Sequence, residues 1–112
     1  MKTNLNKVEL VGYAGRDAEV KEIKKGIRLA NFSLATSDGY RGKNGDWVNN
    51  TSWHNVIFWN DLADKAGDEI KKGSHVSLTG KINYRTYETQ SGEKRYVTEI
   101  VVQEFQIIPR ED

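Results

Sequence analysis

Thr51-Ser-Trp-His-Asn-Val-Ile-Phe-Trp59 has two faces that differ in kind. Side chains along a strand point alternately to opposite sides, so His54, Val56 and Phe58 share one face and Trp53, Asn55, Ile57 and Trp59 the other. The first face supplies a core. The second carries two tryptophans, about 20 Å apart along the strand, that this core does not need. The period then changes over residues 60–70, where Leu62, Ala66 and Ile70 form the apolar stripe of a short helix. Asn60 or Asp61 is placed to cap its start, and Lys71-Lys72-Gly73 ends it.

Strands are expected on both sides of this unit. Residues 5–14 put Val8, Leu10 and Gly12 on one face, and residues 75–84 put Val76, Leu78 and Ile82 inward. Residues 27–36 begin in phase with Ile27 and Leu29, then shift to Ala30, Phe32 and Leu34. That slip predicts a bulge where a sheet bends to close on itself. A last strand spans 95–108. Residues 37–50, rich in Gly, Asn and Asp, read as a hairpin tip, and a second polar hairpin centres on Ser91-Gly92. The 112 residues have room for one core. The order β, β, β, helix, β, β predicts an all-β domain over 1–112 with one short helix. It is the order of a five-stranded Greek-key barrel of the oligonucleotide-binding (OB) type, a pattern that small sandwiches and SH3-like barrels partly share.

Composition excludes several classes. There are no cysteines, hence no disulfides or thiolate metal sites. The apolar runs are too short to cross a membrane as a helix, and Met1-Lys-Thr-Asn-Leu-Asn6 lacks a secretory apolar segment. A cytoplasmic, nucleoid-associated protein is expected. Asp61, Asp64, Asp68 and Glu69 share the exposed side of the helix with Lys65, Lys71 and Lys72, which reads as a solvated face rather than a metal site. Gly42 and Gly45 flank Lys43 within a hairpin, without the strand-to-helix context of a phosphate loop. No catalytic residues, metal or cofactor are expected.

The net charge is only +1, with seven Lys/Arg against four Asp/Glu in residues 1–36. Charge alone is a poor basis for holding nucleic acid here. Aromatic side chains offer another. Tyr40 and Trp47 sit in or beside the first hairpin, and Tyr84, Tyr87 and Tyr96 in or beside the second. Arg41, Lys43, Arg85, Lys94 and Arg95 are interleaved with them. Aromatic faces bounded by cations suit unpaired strands, because bases stack and cations follow the phosphates. Four platforms would supply roughly 4–12 kcal/mol at roughly 1–3 kcal/mol per base. The competing reading is that these aromatics pack at a subunit interface or dock another protein.

Taken in order, several stretches resemble the bacterial single-stranded-DNA-binding protein family across essentially the whole chain. They are Asn6-Lys-Val-Glu-Leu-Val-Gly-Tyr-Ala-Gly-Arg-Asp17, Ala30-Asn-Phe-Ser-Leu-Ala-Thr-Ser37, Trp53-His54, Leu62-Ala63, Lys72-Gly-Ser74, Gly80-Lys-Ile82 and Ser91-Gly-Glu-Lys-Arg-Tyr-Val-Thr-Glu-Ile100. The resemblance implies an OB barrel that assembles into a homotetramer. It also implies binding of single-stranded DNA without sequence preference, in replication, repair and recombination. The family's stacking positions fall on Tyr40, Trp53, Trp59 and Tyr87, and its cationic positions on Lys7, Arg41, Lys72, Arg85 and Arg95. His54 matches a histidine at a subunit contact. Trp47 is an additional candidate platform that the resemblance does not require.

The chain departs from the family pattern in places. Tyr40 and Tyr87 stand where tryptophan is usual, and Trp59 where phenylalanine is usual. Asn55, Asn83 and Thr86 replace basic residues, and Ala18 replaces a proline. Family members continue into a linker and an acidic tip that recruits other proteins, whereas this sequence ends at Ile107-Ile-Pro-Arg-Glu-Asp112. A short or shortened member without that tail is the expectation, and tail-dependent partners are not. A dimeric primosomal OB protein of replication restart is the nearest alternative.

Overall fold

A barrel closes when one strand pairs with two neighbours that are themselves joined through the rest of the sheet, and the first strand does this here. The computed structural model describes residues 3–109. Its elements are β1 (Val8–Ala14), β2 (Glu19–Lys24), β3 (Ile27–Arg41), β4 (Trp47–Trp59), α1 (Asp61–Glu69), β5 (His75–Glu88) and β6 (Lys94–Ile107). β1 pairs with β5 from Val8↔Gly80 to Tyr13↔His75, then reaches β3 at Tyr13↔Ala35 and Ala14↔Leu34. β5 pairs with β6, β6 runs parallel to β4 at Val56↔Ile100 and Ile57↔Val101, and β4 pairs with β3. The ring β1-β5-β6-β4-β3 is therefore closed, and it is the five-stranded barrel expected.

The predicted inward residues fill it. Phe32 stacks on Phe58 at 5.7 Å, and Phe105 meets Phe58 edge-on at 5.1 Å. Leu34, Val56, Val76 and Leu78 are buried around them. Full burial of each such side chain contributes about 1.5–3 kcal/mol. The helix α1 adds Ala63 and Ala66 to this cluster, and Ile70 joins them from just beyond its end, with Leu62 only partly buried. Asn60 stands at the N-cap, where its backbone carbonyl accepts from the Asp64 N–H at 3.0 Å, but its side chain makes no capping hydrogen bond. Its side chain instead accepts from the Arg28 backbone N–H at 3.0 Å, at a positive φ of 54°, tying the helix entry to β3. Arg28 also grips Asp64 at 2.7 Å and Asp61 at 3.5 Å, and the Asp64 hydrogen bond raises the guanidinium's pKa. Two of the helix carboxylates are thus ion-paired.

Three expectations need correction. A sixth strand, β2, pairs with β3 alone. All six of its residues are exposed and four are charged, so it has no buried face and no alternation to betray it. Second, the bulge expected near Ile27 is not carried by β3 itself: its register against β4 runs unbroken from Leu29↔Trp59 to Arg41↔Trp47. The irregularity opposite Ile27 and Arg28 belongs to β2, whose ladder to β3 shifts between Glu22 and Lys24. Ile27 and Leu29 belong to the outer face, which is why they are out of phase with Ala30, Phe32 and Leu34. The register shift of the barrel wall lies instead at Thr79/Gly80 on β5, where β6 carries an extra residue and both Val102 and Phe105 turn inward. Third, the two hairpin regions are long arms rather than tips. Residues 37–41 pair with 47–51, and 84–88 with 94–98, the turns using Gly45 and Gly92 at φ of 86° and 88°. Polar, exposed ladders held by backbone hydrogen bonds carry little apolar signal.

Barrel closure depends on close backbone approach at Gly12, where a Cβ would run into the Ala35 carbonyl. Gly12→Val is expected to lower the unfolding free energy by about 1–3 kcal/mol, the usual cost of overpacking, measurable by urea denaturation.

Candidate nucleic-acid interface

Because β4 alternates without interruption, its odd-numbered side chains from Trp47 to Trp59 all face outward from the barrel wall and its arm. Trp53 is 62% exposed and Trp59 42% exposed. Trp53 lies over Gly15, where a Cβ would meet the ring. Between the two tryptophans Ile57 is buried although it faces outward. A groove of about 430 Å³ explains it, lined by the apolar Ile23, Leu29 and Val101 and by the polar Asn55, Asn83, Arg85 and Glu99. Trp59 stands in this groove, opposite Leu29 in the β3–β4 ladder.

Glu99 is the residue that sequence reasoning missed. It is a buried carboxylate, 3% exposed. Asn83 donates to it at 3.1 Å, and the Arg85 Nε donates to both its oxygens at 3.2 Å. Arg85 is thereby anchored in the groove with its charge compensated, and its guanidinium lies 6.0 Å from the Tyr87 ring. Tyr87 shares a face with Arg85 and Asn83, and stands opposite Arg95 in the β5–β6 ladder. The signal in the sequence was faint: an acidic residue at an outward position, indistinguishable from a solvated one until its partners on β5 are known.

The other candidates are more scattered. Tyr40 is 57% exposed but pairs with Val48, so it lies on the opposite face of the β3–β4 arm from Trp47. Arg41 pairs with Trp47 and donates to the Gly45 carbonyl at 3.2 Å. Lys7 is bridged to Glu9 at 3.0 Å, and Arg95 to Glu93 at 2.8 Å. Lys7 lines a separate hollow with Asn6, Thr79 and Gln103, and Lys72 another with Tyr13 and His75, whose rings stack at 4.4 Å. His54 is half-buried, on the same face as Val56, and its Nε2 is 2.9 Å from the Thr36 hydroxyl. The structure therefore gathers Trp59 and Arg85 in one groove, with Trp53 along β4 and Tyr87 and Arg95 along the β5–β6 arm. Tyr40 stands on the reverse of its arm.

A sequence profile of the single-strand binding protein family matches residues 5–108. The chain belongs to that family. A single-stranded DNA-binding protein of Chlorobaculum tepidum is 37% identical over the whole chain, which spans 70% of that relative. One from Neisseria meningitidis is 41% identical over 94% of the chain, which spans only 60% of it. Among solved structures, a Plasmodium falciparum SSB in complex with ssDNA matches with a TM-score of 0.86 at 25% identity, covering 97% of this chain and 99% of that one. The family's fold thus coincides with the barrel built above. Among the described residues no helix is long and apolar enough to cross a membrane, and no group of three or more acidic or histidine side chains is placed to hold a metal ion.

Removing the carboxylate beneath Arg85 leaves a half-buried amide and a guanidinium without their acceptor. Glu99→Ala is expected to cost about 1–3 kcal/mol of unfolding free energy, read from urea denaturation monitored by circular dichroism.

Proposed function

We propose that this chain binds single-stranded DNA without sequence preference, protecting it during replication, repair and recombination. The observation that carries this reading is a pair of exposed tryptophans, Trp53 and Trp59, on the barrel face away from the core, with the Arg85 groove between the strands beside them. Family membership and the fold shared with an SSB–ssDNA complex support it. Bases stack on Trp53, Trp59 and Tyr87, with Tyr40 reached only from the other side of its arm. Phosphates meet Arg41, Arg95, Lys7 and Lys72. Arg85, already paired with Glu99, contributes hydrogen-bond donors more than net charge. The process is passive and needs no cofactor.

We also propose that the domain acts as a homotetramer. The single chain leaves Leu5, Val11 and Tyr13 more than half exposed in or beside β1, apolar surface suited to a second copy. His54 lies at the base of the β3–β4 arm, half-buried, with its Nε2 2.9 Å from the Thr36 hydroxyl, and we assign it to the subunit contact.

Titration with poly(dT) is expected to quench tryptophan emission strongly. Trp53→Ala should weaken binding by about 5- to 150-fold, the equivalent of one stacked base, and Lys43→Ala much less at moderate salt. Equal losses would make charge the principal term, and no quenching with no mobility shift would remove the nucleic-acid reading. Native mass is expected to give four copies, reduced by His54→Ala at low micromolar concentration; an unchanged assembly would remove His54 from the interface.

A further inference from the structure

We propose that Trp47 is a base-stacking platform, and that the bound strand leaves the barrel to run along one face of the β3–β4 arm. The proposal rests on the single-strand-binding reading and extends its site.

Trp47, Trp53 and Trp59 are spaced six residues apart on one strand. The unbroken β3–β4 register keeps all three on the same face of the strand. Each step is about 20 Å, so the row spans about 40 Å. Nothing in the barrel explains Trp47. Residues 37–41 and 47–51 pair only with each other, and the Trp47 side chain is 64% exposed, more than Trp59 at 42%.

The ring is nevertheless held. Its Nε1 donates to Asn49 Oδ1 at 2.8 Å, which fixes the indole about its outer bond. Beneath it is Gly39, where a Cβ would collide with ring atoms Cζ2, Cε2 and Nε1. One side of the indole therefore rests on backbone while much of the ring stays open to solvent. Trp53 is seated on Gly15 in the same manner. A ring ordered before binding loses less rotamer freedom when a base stacks on it. Arg41 stands directly opposite Trp47 in the ladder, so a cation shares the face. Among the described residues no carboxylate bridges it, and its Nη1 is held by the Gly45 carbonyl. A platform and a cation together are the two parts a single strand requires. Tyr40 lies on the other face, so a strand following Trp59 and Trp53 outward meets Trp47.

The chain's three tryptophans allow a direct test. In Trp53→Phe/Trp59→Phe protein, Trp47 is the remaining indole. Its emission is expected to be quenched by an oligothymidylate of about 30 nucleotides, well beyond the roughly 4–16 nucleotides that one barrel occludes. In otherwise unaltered protein, Trp47→Ala should weaken that long strand about fivefold or more, and barely affect one of about 8 nucleotides, short enough for the barrel alone. Trp47→Phe should restore most of the loss, and Gly39→Ala, which disturbs the seat but keeps the indole, should reproduce it. Unquenched Trp47 emission in protein that still binds the long strand would overturn the proposal. So would emission that responds to protein concentration but not to DNA, which would assign the ring to a contact between copies. Failure of the unaltered protein to bind any strand would instead overturn the reading on which the proposal rests.

Discussion

Closure of the barrel at β1 is the constraint on which the remaining features depend. β1 spends most of its length against β5 and its last two residues against β3, and Gly12 allows the close approach to Ala35 that joins the two edges. Once the ring is closed, every strand has one face inside and one outside. The inside is committed to Phe32, Phe58, Phe105 and the aliphatic residues packed around them. Whatever the outward positions carry is then available for binding, on a wall whose register cannot slip without exposing the core.

That outer face resolves an apparent conflict between a nearly neutral chain and the polyanionic ligand proposed for it. Counterion release scales with the number of phosphates neutralised. Three of the five cationic positions matched to the family, Lys7, Arg85 and Arg95, already have carboxylate partners. The most deeply built of these pairs, Arg85 on Glu99, places an oriented guanidinium beside Trp59 and Tyr87 at little net charge. Stacking is indifferent to base identity because every base has a π-face. Exposed indoles seated on glycine therefore suit sequence-neutral binding. The β3–β4 arm presents Trp47 beyond the barrel, while its ladder keeps that ring in register with Trp53 on the wall.

Much of this was legible in the chain. The barrel order, the lone helix, the inward residues of four strands and the surplus character of Trp53 and Trp59 follow from alternation alone. β2 was not legible, because Glu19-Val-Lys-Glu-Ile-Lys24 is exposed throughout and pairs along a single edge. The arms read as loops because their side chains have no core to face. The phase change at Ile27 and Leu29 looked like a bulge in β3, yet both are outward residues: Leu29 lines the groove with Ile23, Ile57 and Trp59, and Ile27 pairs with Lys24 beside the shift that β2 carries.

The sequence by itself determined which side of each strand a residue occupies, because a period of two is a property of the local backbone. It therefore identified the outward tryptophans and, through resemblance, the family. Only the tertiary structure decided what stands next to what: Glu99 beneath Arg85, Gly15 beneath Trp53, Gly39 beneath Trp47, and Tyr40 turned away from the row. Those neighbours come from other strands. Cross-strand register is set jointly by closure, turns and the shifts at Gly80 on β5 and between Glu22 and Lys24 on β2, and no single stretch of chain contains that information.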